Sequence, residues 1–197
     1  MTLWIRFEHE GETGFGTLES ATITVHRGSM FSAPEATSQK LPLSSVTLLR
    51  PAEPSKMIGL WNNFYKLAEK ISSPVPPEPL YFLKNPASFA DPGTTICKPA
   101  SYAGKVVYEG ELGIVIGKTC LNASDEEAAA AIFGYTCVND ITAIDILNKD
   151  PTFAQWTRAK GFDGFGPFGP AIATDLDPAA LSVRTILNGE ERQNYPI

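Results

Sequence analysis

Lys105–Gly117 reads KVVYEGELGIVIG, and this stretch decides both the fold class and the chemistry to look for. Apolar and β-branched side chains fill it, which predicts a central strand ending at Gly117. Successive side chains of a strand alternate between faces, so Glu109 and Glu111 share a face with Val107 and Val115, roughly 7 Å apart along the chain. Two carboxylates at that spacing in an apolar strand repel each other, and each is costly to bury unpaired. Something positive is expected between them, an ion or a Lys or Arg side chain, unless this is an edge strand whose glutamates face water.

Asp140 ends a second apolar run, GYTCVND, where a third inward carboxylate would meet the pair. Three oxygen ligands suit Mg²⁺, Mn²⁺ or Ca²⁺ better than zinc. The alternative for Asp140 is an N-cap of the following ITAIDIL segment. His9 and His26 are the only histidines and both lie near the N-terminus, so an imidazole-rich metal site or a His-based triad is hard to build.

Outward from these motifs, Leu3 to about Leu49 shows short alternating stretches (TLWIRFE, ATITVHR, SVTLLR) between Gly, Pro and Ser clusters, as small paired strands would. RPAEPSK, ending at Lys56, reads as a linker, and MIGLWNNFYKLAEKI changes to helical spacing. The division predicted is a small β-rich region over 1–55 and a metal-binding catalytic domain over 56–197. Ser124 followed by Glu127 has capping-box spacing and predicts a helix from about Asp125 to Phe133. ITAIDILNKD has helical periodicity, PTFAQWTRAKG is a short helix or loop, and a strand is expected around AIATD. Asn188-Gly189 signals a hairpin.

The 197 residues, 43% of them hydrophobic, suit one principal domain with a small appendage. A formal net charge of -6 without a Lys/Arg cluster argues against nucleic acid and anionic membrane surfaces as partners. No apolar run approaches the ~20 residues of a membrane helix, and the opening lacks a signal peptide's pattern, so a cytoplasmic location is expected. Cys97, Cys120 and Cys137 form no C-x-x-C pair and read as reduced, buried small hydrophobes.

Four separated motifs, YEGELGIVIG, FGYTCVNDITA, AKGFDGFGPFGP and the LNGEERQNYP hairpin, together resemble the fumarylacetoacetate hydrolase family in order and spacing, over about Lys56 to Ile197. The resemblance implies an α+β fold, a β-rich mixed roll or barrel with a small β-rich N-terminal piece. It implies that Glu109, Glu111 and Asp140 bind the metal, Mg²⁺ or Mn²⁺ with Ca²⁺ as a further candidate. It places Lys160 at the lysine of a K-x-F-D-x-F-x-P motif, pairing with the substrate carboxylate or stabilising a developing enolate. The substrate implied is a small 2-oxo or 1,3-dicarbonyl acid, cleaved, isomerised or decarboxylated through a metal-bound enolate in oxo-acid catabolism or aromatic compound degradation. A homodimer is also implied.

Three departures accompany the likeness. Members carry a His and a Glu on a short lid helix; here IGLWNNFYKLAEKI offers Tyr65 or Lys66 at the histidine's position, with Glu69 as the acid or as a solvated helix-face carboxylate. After Asp140, Ile144 and Leu147 stand where many members have Arg and Gln, and an apolar side chain cannot clamp a carboxylate. Gln155 and Trp156 match a Q-W pair before the lysine motif, with packing the simpler role for Trp156. Members also continue past the NG hairpin to a segment that closes the pocket, so the catalytic domain is expected to be incomplete at Ile197. The rival expectation is a catalytically inactive metal-binding member acting as a scaffold or partner subunit.

Overall fold

The computed structural model describes residues 1–197. The chain divides into two compact units, each assembled from separated stretches of sequence.

The first unit comprises Met1–Glu53, Leu112–Cys137 and Phe168–Leu176. Alternation in the N-terminal stretch does what period-two patterning dictates. Thr2–His9, Glu12–Glu19, Thr22–Ser29 and Ala33–Pro42 pair as an antiparallel meander, and Thr47–Leu49 returns to the first strand. Ile5, Phe7 and Ile23 are buried at its centre, with Leu18, Val25, Leu41 and Leu48 packed around them. Gly14 faces Phe7 across the first hairpin, and a Cβ there would stand 2.9 Å from the Phe7 ring, so the glycine makes room for the aromatic core. Beyond Thr2–His9 the sheet continues through Ala171–Thr174 and Ile132–Asn139 to Gly110–Ile116. The sheet is open, and no barrel closes.

The second unit comprises Pro54–Glu111, Val138–Pro167 and Asp177–Ile197. It is built from two-stranded pairs: Met57–Leu60 with Tyr81–Lys84, Val106–Val107 with Thr142–Ala143, Phe89–Ala90 with Gly166–Pro167, and the Ser182–Leu187 and Glu190–Pro196 hairpin. Short helices, Tyr65–Lys70, Ile144–Leu147 and Trp156–Lys160, lie between them. Tyr102, Ile141, Ala143, Ile146, Leu147, Ala159 and Phe165 form its buried apolar cluster. Asn188 and Gly189 turn the hairpin with φ of 53° and 82°, a conformation these two residues adopt at little cost.

Several sequence expectations change here. KVVYEGELGIVIG is not one central strand: pairing stops at Val107 and resumes at Gly110, and Gly110–Ile116 lies at the end of the sheet order, with Ile114 and Ile116 exposed. The helical spacing read from Met57 is overridden for four residues, because Met57–Leu60 finds a partner strand in Tyr81–Lys84; the helix starts only at Tyr65. The predicted Ser124/Glu127 capping box forms in both directions, at 3.3 and 2.9 Å, but its helix ends at Ala131 because Ile132 and Phe133 join the sheet. ITAIDILNKD gives only one helical turn, Ile144–Leu147. All three cysteines are exposed rather than buried; Cys137 takes the outward position after the buried Thr136, as strand alternation requires.

Candidate metal centre

The break in the Lys105–Gly117 run is where the chemistry collects. Glu109 leaves the ladder, and its backbone turns to the Asn139-Asp140 pair. The Glu109 N–H donates to Asn139 Oδ1 at 3.2 Å, and the Asp140 N–H donates to the Glu109 carbonyl at 2.8 Å. This exchange fastens the E-x-E segment to the N-D segment, and the short Val106–Val107 and Thr142–Ala143 pairing continues the clamp. Gly110 is needed at the same point: a Cβ would collide with Thr185 Oγ1, and the Gly110 carbonyl accepts from Gln193 Nε2 at 2.8 Å.

Asp140 does not cap the following helix, whose N-cap position is Ala143. Its carboxylate is buried and held from two sides. Lys84 Nζ donates to Oδ1 and Lys160 Nζ to Oδ2, each at 2.6 Å. Lys160, the last residue of Trp156–Lys160, is 2% exposed and also donates to Glu109 Oε2 at 3.1 Å and Thr142 Oγ1 at 2.7 Å. Its three N–H groups are thus all engaged. Thr142 in turn donates to Glu109 Oε1 at 2.6 Å. Phe82 and Trp156, stacked at 5.2 Å, present their rings to the same ammonium at 4.9 and 5.9 Å.

Glu111 is different. Its side chain has no hydrogen-bond or ion-pair partner, and its carboxyl is pushed up to about 8, first by burial and then by the Glu109 and Asp140 charges. Burial also lowers the Lys84 ammonium from its ordinary range, opposed by its contact with Asp140. No three His, Cys, Asp or Glu side chains are disposed to hold an ion as they lie, and Lys160 reaches in between Glu109 and Asp140.

Of the residues singled out from sequence, the structure therefore gathers Glu109, Glu111, Asp140 and Lys160 at one place. Tyr65, Lys66 and Glu69 all face solvent on the Tyr65–Lys70 helix, and none bonds to the centre. Gln155 precedes the Trp156–Lys160 helix, its carbonyl accepting from the Ala159 N–H at 2.8 Å. Sequence reasoning passed over Lys84 and Thr142. The signal for Lys84 was present: in YFLK it alternates with Tyr81 and Leu83, exposed at 71% and 50%, and so shares the inward face of Phe82. A lysine on a buried strand face needs a carboxylate partner.

Mostly β structure with carboxylates and lysines gathered at an E-x-E and N-D junction defines a known class of protein. The family model for the fumarylacetoacetate hydrolase C-terminal domain matches residues 56–197, and a model described as Rv2993c-like, N-terminal, matches residues 3–51. The chain belongs to the fumarylacetoacetate hydrolase family. An uncharacterised protein of Archaeoglobus fulgidus is 43% identical over 151 residues, 77% of this chain and 59% of that protein. The mitochondrial oxaloacetate tautomerase fahd2 of Xenopus laevis is 35% identical over 167 residues, 83% of this chain and 52% of the relative. The crystal structure of 2-hydroxyhepta-2,4-diene-1,7-dioate isomerase from Mycobacterium marinum matches with a TM-score of 0.87 and 35% identity, over 100% of this chain and 75% of that one. The chain thus spans less than two thirds of the length of these two curated relatives.

Proposed function

We propose that this chain carries the metal-binding part of a Mg²⁺- or Mn²⁺-dependent enzyme that moves a proton beside the carbonyl of a small 2-oxo or 1,3-dicarbonyl acid. The observation that carries the reading is an unpaired donor: Glu109 and Asp140 are matched by two ammonium groups, whereas Glu111 beside them is left without a hydrogen-bond or ion-pair partner. A hard cation fits this set. Every donor is an oxygen, and the Lys160 ammonium already stands as a cation in a cradle of Glu109, Asp140 and Thr142 oxygens. Glu109, Glu111 and Asp140 would hold the ion. When bound, it would supply Lewis-acid polarisation of the substrate's carbonyl oxygens.

The protein's own groups have separable duties in this reading. Lys84 fixes one oxygen of Asp140, and Thr142 fixes one oxygen of Glu109, so each carboxylate keeps a defined direction. Lys160 supplies positive charge for a developing oxyanion, with Phe82 and Trp156 screening it from water. Tyr65, Lys66, Glu69 and Gln155 remain the candidates for acid–base and substrate contacts. Because Tyr65, Lys66 and Glu69 face water, tautomerisation, which asks for modest acid–base help, is favoured over C–C bond hydrolysis or decarboxylation. The similarity to an oxaloacetate tautomerase and a dienedioate isomerase supports the same choice. Residues 56–197 are proposed as the catalytic domain and 1–55 as an accessory region, supported by the two family matches. A cytoplasmic homodimer completes the proposal.

The test is ultraviolet decay of enol oxaloacetate and of acylpyruvates with and without Mn²⁺. Metal-dependent turnover that disappears in Glu109→Ala is expected. Calorimetry showing no Mn²⁺ binding by the wild type would sink the reading. A second reading, an inactive metal-binding scaffold, is motivated by the same solvent-facing Tyr65–Lys70 helix. It is favoured if Mn²⁺ binds and Glu109→Ala abolishes binding, yet no oxo acid is turned over.

A further inference from the structure

Lys160 has no donor left for a substrate. Its three N–H groups are spent on Glu109 Oε2, Asp140 Oδ2 and Thr142 Oγ1, and two of those oxygens belong to the proposed ion ligands. A cation on these same carboxylate oxygens would stand a few ångströms from the ammonium, and like charges at that distance in a buried site repel strongly. Lys84 is placed otherwise. It touches only Asp140 Oδ1, on the far oxygen from Lys160, and so serves as a fixed counter-charge.

We propose that Lys160 and the divalent ion are alternating occupants of one oxygen cradle, so that ion binding expels the Lys160 ammonium and frees its N–H groups for the substrate's anionic oxygens. The inference rests on the metal reading above and adds an order of events to it: ion first, lysine released, acid bound second. The paired charges agree: Glu109 and Asp140 against Lys84 and Lys160 balance as they lie, and an added divalent ion leaves an excess of positive charge that an anionic acid then offsets. The Phe82 and Trp156 rings, already within 4.9 and 5.9 Å of Nζ, give the displaced ammonium a face to rest on. No bond is made or broken covalently.

The experiment is pulsed acetylation of the full chain with an amine-reactive ester, with chelator or with Mn²⁺ alone, read by mass spectrometry at Lys160 and Lys84. Lys160 should be protected with chelator and become roughly tenfold more reactive with Mn²⁺, because three charge-assisted hydrogen bonds are released. Lys84 should stay protected throughout. Calorimetry on the same samples separates the failures. Mn²⁺ bound with Lys160 still protected overturns the exchange and leaves the metal centre standing, whereas no Mn²⁺ binding overturns both. Lys160→Met should bind Mn²⁺ about tenfold more tightly than wild type, since no ammonium must be displaced. Weaker binding by that variant contradicts the exchange, and the wild-type labelling decides the matter if the variant does not fold.

Discussion

Replacing Glu111 by Gln removes a carboxyl whose ionised form is opposed by burial and by Glu109 and Asp140, so the variant is expected to be more stable than wild type in chelator at alkaline pH and less stable with metal. The magnitude follows from the carboxyl's displacement. Its ordinary value of 4.5 is pushed up to about 8 in the folded chain by burial and by Glu109 and Asp140. A raised value means that folding favours the protonated form. The stability associated with the proton is fully present below pH 4.5 and is lost as pH rises through about 8. A gap of about 3.5 units sets a ceiling of roughly 5 kcal/mol, and the partial exposure of Glu111 brings a realistic figure to about 2 kcal/mol. In chelator at pH 8.5, Glu111→Gln should therefore melt roughly 4–8 °C above wild type. At pH 4 the two should coincide. With Mn²⁺ at a hundred times its dissociation constant, wild type gains about 2.7 kcal/mol, and the variant, short of one ligand, gains far less. Thermal melts across pH, with and without Mn²⁺, give all four numbers. The reasoning is refuted if the variant is the less stable protein in chelator at pH 8.5, or if its metal-induced shift equals that of wild type.

Two further outcomes concern the fold. Ser124→Ala removes one half of the capping box and should cost about 1 kcal/mol in urea unfolding, with Mn²⁺ affinity by calorimetry unchanged. Gly110→Ala places a methyl against Thr185 Oγ1 and should destabilise by about 1–3 kcal/mol. Adding Thr185→Ala, which removes the nearest atom, should restore most of that loss in a double-mutant cycle; full additivity would show that the contact is not the cause.

The parts legible in sequence are those whose causes are local. Alternation in TLWIRFE, the Ser124/Glu127 spacing and Asn188-Gly189 each act within a few residues, and each produced the element it implied. The charge argument at Glu109 and Glu111 was also local, since two carboxylates in an apolar run ask for a cation wherever they are folded. What was not legible was decided by partners far along the chain. The ladder breaks at Glu109 because Asn139 and Asp140, about thirty residues on, take its backbone bonds. Met57–Leu60 is a strand because Tyr81–Lys84 lies beside it, although its own apolar spacing suits a helix. Lys84 shows the limit from the other side: its alternation was visible, but its partner Asp140 lies 56 residues away.

The surface cysteines give the protein a set of natural handles. Cys97 belongs to the second unit, and Cys120 and Cys137 belong to the first, all three open to solvent. Maleimide dyes or nitroxide spin labels attached to variants keeping Cys97 and one of the other two would form a molecular ruler between the units without any added cysteine. Ligand-induced domain motion would then register as a change in energy transfer or dipolar coupling. Left unprotected by reductant, the same thiols would link molecules through disulfides during storage and counterfeit a larger assembly on a sizing column.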